Sequence, residues 1–143
     1  MRPYYESKAD LQNEQDIATY LEDKWSCNFI KLNPVKYKVD YLIKKDDVYT
    51  WCEIKKANIN YGQYIFMISY KKIEAAKLLH DTSGCDFILI FNCNDKLCYH
   101  KWDFTKAYKF EFSGRTLTTR DDQDIEPIFR IPPEDCVIIN GFK

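Results

Sequence analysis

The sequence predicts an α/β fold, a mixed central β-sheet flanked by helices, with elements in the order α-β-β-α-β-β and a β-leaning tail. Three observations predict it. Two segments carry apolar residues at helical intervals. The runs between and after them alternate apolar and polar residues. The stretch "FILIF" (87–91) is a short, unbroken apolar run, as in a buried strand.

The first helix is expected over "DLQNEQDIATYLEDKW" (10–25), with Asp10 as N-cap and a stripe of Leu11, Ala18, Leu21 and Trp25. Glu14 falls on that stripe. A carboxylate there needs a partner, because burying a lone charge is costly, or it lies at the stripe's edge and reaches water. "CNFIKLNP" (27–34) reads as a short strand or an irregular entry. "YKVDYLIKKDDVYTWCEIKK" (37–56) reads as a hairpin turning at "KKDD" (44–47). "NINYG" suggests a loop, and "QYIFMI" (63–68) fits either helix or strand. Ser69 is placed to cap a second helix, "YKKIEAAKLLHD", with Ile73, Ala76, Leu78 and Leu79 inward and Gly84 beyond its end. "CDFILIF" (85–91), "LCYHKWDF" (97–104) and "AYKFEF" (107–112) read as further strands. The tail, "GRTLTTRDDQDIEPIFRIPPED", reads as a polar loop and a proline-bounded edge strand.

A chain of 143 residues, 45% hydrophobic, with 3 Trp, 11 Tyr and 9 Phe, suits one packed domain over residues 1–143 and argues against disorder. Only 4 Gly and 5 Pro leave no evident linker. The longest apolar run is too short to span a bilayer, and "MRPYYESKAD" lacks the apolar stretch of a signal peptide. A cytoplasmic protein with no membrane partner is the expectation. The 6 Cys include no C-x-x-C pair, so buried free thiols are expected rather than zinc; Cys52, Cys85 and Cys136 adjoin apolar runs. The net charge of −1 conceals a basic middle: residues 31–77 carry 10 basic and 5 acidic side chains, between acidic flanks. That segment could meet a polyanion, or its lysines could simply solubilise strand edges.

The hairpin is the odd element, because Asp40, Glu53 and Lys55 interrupt strands rich in Val, Ile, Tyr and Trp. If it turns between Lys45 and Asp46, Asp40 faces Trp51 and Ile43 faces Val48. Asp40 then shares a sheet face with Glu53 and Lys55, and Glu53 is its diagonal neighbour at roughly 7–8 Å. Two carboxylates so close repel unless a cation lies between them. Mg²⁺ (or Mn²⁺) suits two carboxylates plus water and phosphate oxygens, and Lys55 could steady developing negative charge. Glu14 could extend the cluster if its helix packs on that face. Cross-strand salt bridges, Asp40 with Lys55 or Glu53 with Lys38, are the plain alternative.

Asp40 followed by Glu53-Ile54-Lys55 resembles the D…E-x-K core of the PD-(D/E)xK nuclease superfamily, with a Glu-bearing helix before it and a basic helix after it. Val39 stands where the name-giving proline would be. "YIFMISYKKIEAAKLLHDTSGCDFILIF" and "RTLTTRDDQDIEPIFRIP" look like segments of small phage- and prophage-encoded members. The resemblance implies a restriction-endonuclease-like core and a metal-dependent DNA endonuclease. It implies that Asp40, Glu53 and the Ile54 carbonyl bind metal, with Glu14 completing the cluster or holding a second ion. Lys55 would orient or activate the attacking water. Lys72 would contact the scissile phosphate at a helix N-terminus. Lys56, Lys71, Lys72, Arg115 and Arg120 would meet DNA, although the two arginines could equally pair with Asp121, Asp122 and Asp124. Some relatives use a glutamine in the region of Gln63. Structure-selective cleavage of a junction, flap or end in the host cytoplasm, with a homodimer as one assembly, is the expected setting. A nuclease fold that binds nucleic acid or a host protein without cutting is the alternative.

Overall fold

Two apolar stripes on the central strands are covered from opposite sides, and this sets the architecture. The computed structural model describes residues 8–113 and 126–143. In chain order these form α1 (Lys8–Trp25), β1 (Asn28–Lys31), α2 (Pro34–Tyr37), β2 (Tyr41–Lys45), β3 (Val48–Lys56), β4 (Phe66–Ser69) and α3 (Tyr70–Ser83). Then follow β5 (Asp86–Asn92), β6 (Leu97–Lys101), β7 (Lys109–Ser113), β8 (Glu126–Ile131), a 3₁₀ turn (Pro133–Asp135) and β9 (Val137–Ile139).

The main sheet has six strands in the order β1-β2-β3-β5-β6-β9. It is mixed, because β3 and β5 run parallel while the other neighbours are antiparallel. The α3 crossover between β3 and β5 permits that parallel pair. The run expected as a buried strand is β5, which lies in the middle of the sheet and is buried on both faces. A three-stranded antiparallel sheet, β4-β8-β7, forms separately. No local pattern announces it: β4 is the segment whose sequence fits either helix or strand, and its partner lies some sixty residues on.

On one face of the main sheet, α1 buries Ile17, Ala18 and Leu21 against Tyr41, Ile43, Cys52, Ile54, Ile88 and Ile90. The opposite core joins Phe87, Leu89 and Phe91 to Ile73 and Ala76 of α3 and to Phe66, Ile68 and Ile131 of the small sheet. Both helix stripes need correction. In α1 the inward set is Glu14, Ile17, Ala18 and Leu21, and Leu11 is exposed. In α3 Leu78 points to solvent at 68% exposure, because an i, i+3 pair already fills the narrow contact. The caps lie where expected: the Ser69 hydroxyl accepts the Lys71 N–H, and Gly84 takes φ +74 while its N–H bonds the His80 carbonyl.

All six thiols are free, with Cys52, Cys93 and Cys98 buried and Cys27, Cys85 and Cys136 half-buried. Among the described residues, no helix is long and apolar enough to cross a membrane.

Candidate active site

The hairpin register differs from the expected one. Lys45 pairs with Val48 and Leu42 with Trp51, around a two-residue turn in which Asp46 adopts φ +53. Aspartate tolerates that left-handed conformation better than most residues. The turn centre moves by one residue, so partners shift by two and the face assignment survives. The consequence is closer approach, since Asp40 falls beside Glu53 instead of diagonal to it.

Asp40 lies one residue beyond the last ladder pair, Tyr41 with Cys52. The chain bends there, with Lys38 at φ +68. Leu32 N–H donates to the Asp40 carbonyl at 2.9 Å, and Asp40 N–H donates to the Cys52 carbonyl at 3.2 Å. The carboxylate Oδ2 accepts the Ile54 N–H at 2.9 Å. Asp40 is buried and held by the residues on either side of Glu53.

Side chains of β3 alternate, so Cys52 and Ile54 enter the core under α1 while Trp51, Glu53 and Lys55 face α3 and the small sheet. On adjacent β5, Leu89 and Phe91 pair with Glu53 and Lys55. A carboxylate and an ammonium thus interrupt a core-facing stripe. Glu53 Oε2 lies 3.2 Å from Lys72 Nζ, and Lys72 Nζ also donates to the Lys38 carbonyl. Glu53 Oε1 is buried and has no hydrogen-bond partner among the described residues. Burial, then the charge of Asp40, pushes the Glu53 carboxyl up to about 8, against the pull of Lys72 and Lys55. Lys55 Nζ donates to the Met67 carbonyl of β4 at 2.6 Å, and burial lowers its pKa although Glu53 and Glu126 pull the other way.

The structure therefore brings together Asp40, Glu53, Lys55 and Lys72, with the Ile54 backbone among them. It does not bring Glu14 to the same spot. Glu14 belongs to the helix on the other face, and its Oε2 takes Lys31 Nζ at 3.1 Å. Among the described residues, no three His, Cys, Asp or Glu side chains gather in a way that could hold a metal ion. Glu14 still makes itself felt at Cys52, whose thiol is raised first by burial, then by Asp40, Glu53 and Glu14. Lys56 and Lys71 are exposed at the end of β3 and the start of α3. Gln63 is occupied in its own turn, accepting the Asn60 N–H. Arg115 and Arg120 lie outside the described residues. Of the plain alternatives, the Glu53 ion pair goes to Lys72, and Lys38 contributes a carbonyl. Neither that carbonyl nor Met67's is legible in the sequence, since backbone acceptors leave no mark in residue type.

The donor set fits a hard divalent cation. Two adjacent carboxylates, one with a buried unpartnered oxygen, match how Mg²⁺ is held, by one or two carboxylates plus water and substrate oxygens.

A mixed sheet flanked by helices, with an Asp and a Glu-x-Lys meeting on one face, defines a protein of the PD-(D/E)xK nuclease class. The family described as "Phage putative PDDEXK endonuclease" matches residues 1–137, and the chain belongs to it. Among solved structures, Hjc of Archaeoglobus fulgidus, a Holliday junction resolvase from an archaeal hyperthermophile, has a similar fold. The TM-score is 0.51 at 14% identity, over 62% of this chain and 72% of that one. No curated protein matches the chain.

Proposed function

We propose that the protein is a metal-dependent DNA endonuclease acting through Asp40, Glu53 and Lys55. The observation that carries this reading is the buried, unpartnered Glu53 Oε1 next to Asp40, in a chain of a nuclease family. Asp40, Glu53 and the Ile54 carbonyl would hold Mg²⁺ or Mn²⁺. A divalent cation there supplies Lewis-acid stabilisation of charge on the phosphate. Lys55, part-buried and with a lowered pKa, orients the attacking water. The water oxygen bonds to phosphorus, the bond from phosphorus to the 3′ oxygen breaks, and the proton passes to that oxygen. The products carry a 5′-phosphate and a 3′-hydroxyl. Lys72 meets the scissile phosphate at the N-terminal end of α3, and Lys56, Lys71, Arg115 and Arg120 grip its neighbours.

Because Hjc is a Holliday junction resolvase, branched DNA is the first substrate class to test. Labelled duplex, single strand, flap and four-way junction would be incubated with Mg²⁺ and with Mn²⁺. We expect metal-dependent cleavage that Asp40→Asn and Glu53→Gln each reduce by about 10³-fold or more, the scale on which removing one preorganised charge acts. Undiminished cleavage by both variants would reject the site. Tight DNA binding without cleavage of any substrate would favour the non-cutting module.

A further inference from the structure

We propose that Lys72 is a built-in counter-ion, holding the Glu53 carboxylate in the metal-free protein and leaving it when a divalent cation binds. This rests on the metal-dependent reading above. The geometry assigns the role to one side chain. Lys72 Nζ is 3.2 Å from Glu53 Oε2 and donates to the Lys38 carbonyl, two residues before Asp40. The ammonium therefore bridges the loop that carries one carboxylate and the strand that carries the other. It leaves Glu53 Oε1 buried and, among the described residues, without a hydrogen-bond partner, so one lysine satisfies only half of the carboxylate.

Asp40 stands beside Glu53, its Oδ2 accepting the Ile54 N–H at 2.9 Å. A divalent ion brings twice the charge and several oxygen ligands to the same two carboxylates. Two cations on one carboxylate repel, and the monovalent one, on a flexible four-carbon stem, is the one able to move. The Lys72 side chain is 26% exposed, so its ammonium has a path to solvent. Leaving Glu53 frees that ammonium, at the N-terminal turn of α3, for an incoming phosphate. Metal binding would thus arm a phosphate contact that the resting protein keeps engaged.

Substitution at Lys72 tests this with opposite signs. Lys72→Met removes the competitor. Lys72→Arg offers a planar fork able to grip both Glu53 oxygens. Mg²⁺ and Mn²⁺ would be titrated calorimetrically, without DNA and above pH 8, where Glu53 is ionised, into wild type, K72M, K72R and K77M. Lys77 lies on the same helix, paired with Asp81 away from the site. Expected affinities are about tenfold tighter for K72M, about tenfold weaker for K72R, and within about twofold of wild type for K77M. A K72M protein that binds metal no more tightly than wild type overturns the proposal. Should K72M fail to fold, lysine-selective NMR of the wild type supplies the answer. The Lys72 Cε and Nζ signals, identified by their absence from K72R, should shift to solvated-lysine values as Mg²⁺ saturates. Unmoved signals at saturation overturn the proposal. If wild type takes up neither metal, the metal-dependent reading fails first, and this inference with it.

Discussion

Glu53 is a carboxylate placed where an apolar residue would pack, and its protonation should register in stability. In the folded chain burial and Asp40 lift it from 4.5 to about 8. Between those values the folded state keeps a proton that the unfolded state has released. Stability is therefore fully present below about pH 4.5 and falls as pH rises through 8. The span corresponds to a loss on the order of 3–5 kcal/mol. Urea unfolding in chelator from pH 5 to 9 should show that decline in wild type, and a flatter profile in Glu53→Gln, which is neutral throughout. A wild-type curve as flat as the variant's would mean that Glu53 ionises as an ordinary carboxylate. Residue types alone expose part of this site. Asp40, Glu53 and Lys55 are legible because charged groups stand in otherwise apolar strands, and parity keeps them on one face even with the turn misplaced by one. The Glu14 position is not legible. Its helical stripe shows that it is inward, but not that α1 covers the opposite face of the sheet, where Lys31 meets it.

The element that aims Lys72 is α3, and its start is set by one cap. The Ser69 hydroxyl accepts the Lys71 N–H, fixing the first turn over Glu53. Ser69 also ends β4 and pairs with Ile128, so cap and sheet share a residue. Ser69→Ala should lose about 1 kcal/mol, and Ser69→Asp should retain most of it, as caps of this kind do. Chemical denaturation of the two variants checks this; equal losses would trace the effect to sheet packing instead. This cap and the Gly84 terminus are sequence-legible because both are local chemistry. By contrast, β4 is short, and "QYIFMI" lacks a period long enough to choose between helix and strand. What makes it a strand is β8, far along the chain, and no local pattern announces that pairing.

At the scale of the molecule, the candidate site lies on the seam between two sheets. Phe66 of the small sheet stacks on Phe91 of the main sheet, with ring centroids 4.1 Å apart and planes 4° from parallel. Phe91 is the ladder partner of Lys55, and Lys55 reaches across to the Met67 carbonyl next to Phe66. The seam is thus closed by an aromatic stack and a charged hydrogen bond at adjacent positions. The main sheet has a second, independent core under α1 that neither contact touches. Removing the Phe66 ring should therefore loosen the small sheet before the rest. Phe66→Ala is expected to cost about 3–5 kcal/mol, the range for large aromatic truncations in cores. Amide exchange should accelerate most in 66–69 and 126–131, while 17–21 and 41–45 open only with global unfolding. If exchange instead rises equally in both groups, the two sheets open together, and the seam is no weaker than the cores on either side of it.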